Sequence, residues 1–394
     1  FLAANFQGQA YFESLDFFTM DRFMQIKGEG SEVNPIIKIN QYVETYKQRE
    51  FDAVELAKFM KWTAVDLRPV LVKLATFGVI NYNVEADEVS VKEKLFKYIK
   101  AAKKLTDYDI LTFHSVLPGA YNADLNLLNN NFDMRIRGVK QILICDTQKV
   151  FVFPANREIV LKKGRNFTFS GAVASGKFEF HGKEFAYDYD QNKINMKLID
   201  SLRIYVTALQ PEPDGSIPFK RVQTVIESIS GELDVDHPKN HAGYIKQPQY
   251  PIFKSFKESY AYYDKKSIQK GAYNRDNFYF KLDPFTIDSL DNFENSALKF
   301  KGELSSAGIF PVFRDTITLQ KDYSLGFIRK TPPGGFNAYG VKGKFDNEIR
   351  LSNKGLRGGG DITFGPSVTK GDDFIFFPDS TNGVANTFDV KEQG

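Results

Sequence analysis

The sequence predicts a mainly β protein, arranged as a solenoid-like or stacked β-sheet array, with a small helical domain near its N-terminus. Three observations predict this. From Asn166 to Gly182 aromatic residues stand at every second position within short runs, and glycines break the runs; period-two alternation marks half-buried strands. The aromatic set is skewed to 37 Phe and 19 Tyr against 1 Trp, a composition suited to aromatic-rich sheet cores. One window, residues 36–105, abandons this pattern for apolar positions at helical spacing.

Residues 1–35 read as a β-leaning N-terminal segment. Ala10 to Thr19 suits a strand, Met20 to Ile26 has no clear period, and Gly28 to Pro35 has loop chemistry. In 36–105 a first short helix is expected from Ile39 to Lys47. Asp52 followed by Glu55 reads as a capping-box-like start, with Val54, Leu56, Phe59 and Met60 as the apolar face. A third helix carries Leu67, Val70, Leu71 and Leu74. Pro69 is costly deep in a helix, so the cap is expected at Asp66, which puts Pro69 in the first turn. Gly78 is the expected stop. Val79 to Val84 and Val89 to Val91 form a hairpin, and a last helix spans about Lys92 to Leu105.

This order of helices followed by a two-stranded wing resembles a winged-helix module, best matched from Phe51 to Val91. The resemblance implies a test for DNA binding, which needs several phosphate contacts from Lys and Arg. The third helix offers only Arg68 and Lys73, beside Asp66. The wing is acidic at Glu85, Asp87 and Glu88, and the lysines gather on the last helix. No nucleic-acid partner is expected, and the module reads as structural or protein-contacting.

Residues 106–233 are expected to be a first β-rich repeat region, with candidate strands from Met134 onward. Residues 234–277 read as an irregular Tyr-, Lys- and Pro-rich connection, and 278–394 as a second β-rich repeat region. Phe169 to Phe178 echoes Phe300 to Phe310 with one insertion, and Ile199 to Leu202 recurs as Ile287 to Leu290. Units that bury one face against the next follow solenoid logic, although a large sandwich or open barrel gives the same strand pattern.

Several stretches carry a second resemblance. Val150 to Leu202, Tyr262 to Ile268, Asn274 to Leu290, Leu325 to Pro333 and Phe374 to Ser380 look like large uncharacterised exported envelope proteins of Bacteroidota. The resemblance implies a protein much longer than this chain, located in the periplasm, outer membrane or cell surface, with other envelope proteins or glycans as partners. It brings no catalytic or binding residue. A start at Phe1 rather than Met fits the same expectation of a piece of something longer.

Bulk composition narrows the function classes. The chain has 394 residues, 42% hydrophobic and 26% charged, as a globular protein does. With 52 basic against 49 acidic residues the net charge is +3, which argues against a dedicated nucleic-acid or polybasic membrane binder. No apolar run approaches the ~20 residues that span a bilayer as a helix. Cys145, the single cysteine, lies in an apolar run and reads as a buried thiol.

Candidate sites are few. Asp234, Asp236, His237 and His241 are the densest set of metal-ligand types, although Pro238 and Gly243 suggest a loop, and a polar turn is the simpler reading. Asp188 and Asp190 alternate with tyrosines; two carboxyls on one strand face the same way, whereas glycosidase chemistry needs them on opposite sides of a bond. Gly355 to Gly365 resembles an anion-cradling loop in composition only and reads as a strand-to-strand corner. No nucleophile motif occurs. Tyr250, Phe253, Tyr260, Tyr262 and Tyr263, mixed with lysines, form the best candidate binding surface for glycan or protein; the competing reading is a segment packed over the sheet edge.

The function expected is therefore a non-enzymatic structural or binding segment of a larger exported envelope protein, with no catalytic residue, cofactor or metal. A carbohydrate-active enzyme on a β-helix and a winged-helix DNA-binding regulator are the alternatives.

Overall fold

The computed structural model describes residues 2–4, 8–14, 16–27, 33–128 and 133–390. The chain is mainly β and divides into two compact units. One comprises residues 1–163, 190–192 and 236–247; the other comprises 164–189, 193–235 and 248–394. Of the loop expected over 28–35, residues 28–32 lie outside the described residues.

The first unit holds all the α-helices described: α1 (Met20–Lys27), α2 (Pro35–Tyr46), α3 (Ala53–Met60), α4 (Ala64–Thr76) and α5 (Glu93–Ala102). Each of α2, α3 and α4 begins at a side chain that satisfies an orphan backbone N–H. Asn34 accepts from Ile36 N at 3.0 Å, and Asp52 accepts from Val54 N at 2.7 Å as its position before an apolar run predicts. Leu56, Leu67, Leu71, Leu74, Val79, Val89, Leu95 and Ile99 close one apolar core beneath these helices. Between them, Glu50–Asp52, Glu88–Val91 and Ile80–Asn83 form a three-stranded sheet with Glu88–Val91 in the centre. Gly78 sits at φ +70 just past α4 and stops it.

Two expectations in this region are corrected. Met20 to Ile26 is helical: Thr19 Oγ1 caps Arg22 N at 3.1 Å. The periodic signal was lost because Arg22, a charged residue, is buried beside Phe23 and Ile26. Its guanidinium is held by Glu13 at 3.0 Å and by the carbonyls of Ser14 and Phe17, each at 3.3 Å. The cap of α4 is Thr63, not Asp66; Thr63 Oγ1 accepts from Asp66 N at 3.2 Å. Pro69 therefore lies inside the helix. The carbonyl its missing N–H would have bonded belongs to Val65, an exposed residue near the start of the helix.

The rest of the first unit is sheet. Leu2–Ala4, Gln9–Phe12 and Phe113–Val116 pair in that order. Ala123–Leu125, Met134–Arg137 and Glu158–Leu161 pair with Met134–Arg137 in the centre, and Ile142–Cys145 pairs with Val150–Pro154.

In the second unit one antiparallel meander runs through Phe167–Ser175, Phe178–Asp188, Lys193–Thr207 and Ile226–Asp234. Ile252–Ser255 and Ser259–Tyr262 then share the next place, so part of the stretch expected to be irregular supplies strands. The meander continues through Phe278–Leu282, Lys299–Ser306, Phe313–Leu319 and Leu325–Lys330. It ends with Gly343–Ser352, Gly355–Phe364, Ser367–Phe376 and Thr387–Val390. No solenoid forms among the described residues: strands pair antiparallel with near sequence neighbours, whereas coils of a solenoid pair with their counterparts one repeat away. The echoing segments Phe169 to Phe178 and Phe300 to Phe310 are each a strand running into a turn within this meander.

The interior of this unit explains the pairing of phenylalanine with glycine. Phe253, on the strand beside Gly231, is fully buried. A Cβ built on Gly231 would stand 2.9 Å from its Cζ and 2.2 Å from Lys254 O. Gly302 repeats the arrangement with Phe280, at 2.7 Å from Cε1 and 2.0 Å from Lys281 O. In both cases the ring lies diagonally across the register, since Gly231 opposes Ser255 and Gly302 opposes Leu282. An aromatic ring thus covers the backbone of a glycine on the adjacent strand. The opposite face carries cross-strand ion pairs, among them Lys254 with Asp234 at 2.7 Å and Lys281 with Glu303 at 2.7 Å. Among the described residues no helix is long and apolar enough to cross a membrane.

Candidate functional site

The ligand-type residues between Asp234 and His241 are divided among separate partners. Asp234 ends its strand, and its Oδ2 accepts from Lys254 Nζ. Asp236 is buried: Oδ1 accepts from His237 N at 2.7 Å, and Oδ2 accepts from Gln148 Nε2 at 3.0 Å and Asn240 Nδ2 at 2.9 Å. Burial raises its carboxyl above the usual range, and these donors only partly offset it. His237 Nδ1 accepts from Lys239 N at 3.1 Å. His241 N and Nδ1 both donate to Asp107 Oδ2, at 2.9 and 2.7 Å, and Ala242 N donates to Asp107 Oδ1 at 3.0 Å.

No group of three or more His, Cys, Asp or Glu side chains converges as a metal site among the described residues. The geometry is that of a pinned loop. Two carboxylates collect backbone and side-chain N–H groups that would otherwise be unpaired. Burial raises the Asp107 carboxyl, but donation by His241 and Ala242 overcomes it and holds the group below the usual carboxylate range. Sequence reasoning missed Asp107 and Gln148, because neither stands in any local pattern.

The other sequence candidates are placed as follows. Cys145 is buried, its thiol pushed up by desolvation, with Thr147 Oγ1 at 3.4 Å. Asp188 ends a strand, and Asp190 is exposed in a turn. Gly355 to Phe364 is a strand paired on both sides rather than a corner, with a register shift between Gly358 and Gly360.

The aromatic candidates separate into two groups. Phe253 and Tyr263 are both 0% exposed and belong to the core; Tyr263 spends its hydroxyl on Leu325 O at 2.9 Å. They are therefore not part of a surface. Strand alternation put Tyr260 and Tyr262 on the other face, where both are half-buried and stack at 5.9 Å. Tyr279 meets Tyr260 edge-on at 5.5 Å, and the Arg275 guanidinium lies 4.3 Å from the Tyr262 ring centre. Tyr250 is half-buried just before that strand pair.

Two grooves carry concentrated charge. In the second unit a groove of about 360 Å³ is lined by Arg350, Arg357 and Asp373 among others. Two of its cations are paired: Asp373 binds Arg350 at 3.0 Å and also binds Arg357, while Lys321 and Lys354 line it as well. In the first unit a groove of about 650 Å³ lies along the outward side of Phe113–Val116. His114, Lys140, Gln141 and Arg157 line it, with Thr112 and with Asp21 from the first turn of α1. Hydrogen bonds to the backbone bring these residues together. Val116 N donates to Gly138 O at 3.0 Å, Val139 N donates to Arg157 O at 3.0 Å, and Ser115 Oγ donates to Arg137 O. Tyr11, the cross-strand partner of His114, stacks on its ring at 4.5 Å and 7°.

No family model matches the chain, and no curated protein or solved structure matches it either.

Proposed function

We propose that this chain is a non-enzymatic structural or binding segment of a larger exported cell-envelope protein, with other envelope proteins or glycans as its partners. The observation that carries the reading is the unbroken antiparallel meander from Phe167 to Val390. Its inner face is sealed by aromatic rings over glycines, and its outer face is laced with cross-strand ion pairs. In such a construction part of the charged side chains is engaged in holding strands together. The resemblance of several strand segments to large envelope proteins of Bacteroidota supports the same reading. Fractionation of the native organism, with detection by an antibody raised against this chain, tests it. Recovery in the envelope fraction is expected, and recovery solely in the cytosol overturns it.

The helical part supports a second element of the reading, a winged-helix-like module used for packing or protein contact. The order of α2, Glu50–Asp52, α3, α4 and the hairpin supports the likeness. In the hairpin Asp87 accepts from Arg68 Nη2 at 2.6 Å and from Tyr82 Oη at 2.6 Å. One of the few cations on α4 is thereby neutralised by the hairpin itself, which works against a phosphate contact. Fluorescence anisotropy of labelled duplex DNA with the whole chain at low salt should stay flat. A rise that disappears as salt increases would overturn this assignment.

A further inference from the structure

We propose that the groove along Phe113–Val116 is a binding site for one oxyanion group, carboxylate or phosphate, on a small sugar-sized ligand. Lys140 and Arg157 supply the charge. The inference goes beyond the structural role above and stands on the geometry of the groove.

Unpaired charge is the first argument. Lys140 and Arg157 make no ion pair among the described residues, although both line the same concavity. In the groove of the second unit Arg350 and Arg357 share Asp373. The nearby strand Met134–Arg137 likewise has Arg135 and Arg137 matched by Glu158. Two cations lining one concavity without an ion pair mark a place for an outside anion. Asp21 offsets part of this charge, but it sits in the first turn of α1, where the helix terminus favours a carboxylate.

The second argument is the buried polar atom beside the cavity. His114 Nε2 is buried and has no hydrogen-bond partner. Such an atom is costly when left unsatisfied. A half-turn about χ2 keeps the ring plane, and so keeps the stack on Tyr11, while moving Nε2. An acceptor in the groove would satisfy it. Gln141 and Thr112 add neutral polar groups, and Leu143 adds an apolar edge, the mixture that a sugar ring bearing one charge requires.

The third argument is rigidity. The residues of the strand and of the Lys140 and Arg157 stretches are tied by hydrogen bonds from Val116 N, Val139 N and Ser115 Oγ. The backbone positions that carry the two cations are therefore set before any ligand arrives, which lowers the ordering cost of binding.

Isothermal titration of the whole chain with glucuronate, glucose 6-phosphate and glucose tests the proposal. Binding of at least one of the two anions is expected, with none of glucose, and the comparison of the anions tells carboxylate from phosphate. Lys140→Ala and Arg157→Ala are each expected to weaken binding about tenfold, and salt is expected to weaken it in the wild type. Both side chains are exposed, so the variants should melt as the wild type does. His114→Gln should weaken binding less than either. The proposal is overturned if neither anion binds at 10 mM, on the order of the weakest affinity worth calling a site. It is also overturned if glucose binds as well as the anions, or if binding survives the Lys140→Ala, Arg157→Ala double variant unchanged.

Discussion

Asp107 and His241 are 134 residues apart in the chain, and Asp107 Oδ2 stands 2.7 Å from His241 Nδ1. The same carboxylate accepts from the backbone N–H groups of His241 and Ala242. One side chain on the segment after α5 thus organises a loop that sequence reading had marked for metal ligands.

Replacing that carboxylate should lower stability in a pH-dependent way. Asp107→Ala is expected to cost about 2–3 kcal/mol near neutral pH, since bonds to a charged acceptor are lost. The folded state holds the Asp107 carboxyl below its ordinary value. Its contribution is therefore complete above the ordinary carboxylate range and is lost as pH falls through the lowered value. Urea denaturation of wild type and variant across a pH series should show two curves that converge toward acid. Parallel curves would remove Asp107 from this role.

Phe253 and Tyr260 separate core from surface on neighbouring strand segments. Phe253 packs on Phe180 with ring centres 4.6 Å apart, both fully buried. Phe253→Ala should cost about 3–5 kcal/mol. Tyr260→Ala, which opens only the outer aromatic ladder, should cost about 1 kcal/mol or less. Equal losses in chemical denaturation would show that the two faces are not distinct in energy.

Gly302→Ala should destabilise by about 1–3 kcal/mol, the usual penalty for overpacking. Its new methyl would stand 2.0 Å from Lys281 O and 2.7 Å from the Phe280 ring. Trimming the ring in the double variant with Phe280→Ala should not rescue stability, because the carbonyl contact remains. Thermal melts of the single and double variants decide the matter, and a rescued double variant would place the whole conflict in the ring.

Lys254 bridges Glu232 and Asp234 on the outer face, at 3.7 and 2.7 Å. Its side chain is partly exposed, so Lys254→Ala should cost about 1 kcal/mol at most. The loss should shrink further in 1 M salt, where screening is strong. A large, salt-independent loss would mean that the stem of the lysine, not its charge, carries the contact.

Much of the fold was legible because its signals are local. Alternating apolar residues gave the strands, Asp52 followed by Glu55 gave the start of α3, and Gly78 gave the end of α4. The misplaced start of α4 shows the limit of a local rule: aversion to an internal proline argued for Asp66, yet the helix starts from a Thr63 cap and keeps Pro69 inside it. The hidden α1 shows another. A buried arginine reads as polar in any periodicity count, and only its carbonyl and carboxylate partners make its burial tolerable.

The candidate sites were far less legible. Phe253 and Tyr260 look alike in a list of aromatics, and only the parity of their strand positions sends one inward and the other outward. Asp107, Gln148, Lys140 and Arg157 stand in no motif at all.

By itself, the sequence determined that most of the chain would be strand with one helical region near its start, and that phenylalanine and glycine would recur together. Those properties depend on backbone preference and on which side chains leave water. Tertiary structure alone decided that Phe253 and Phe280 each cover a glycine on the next strand, that Asp107 meets His241, and that Lys140 and Arg157 face one groove. These depend on register and on contacts between distant stretches of chain. The energies involved are gained only once the strands have paired.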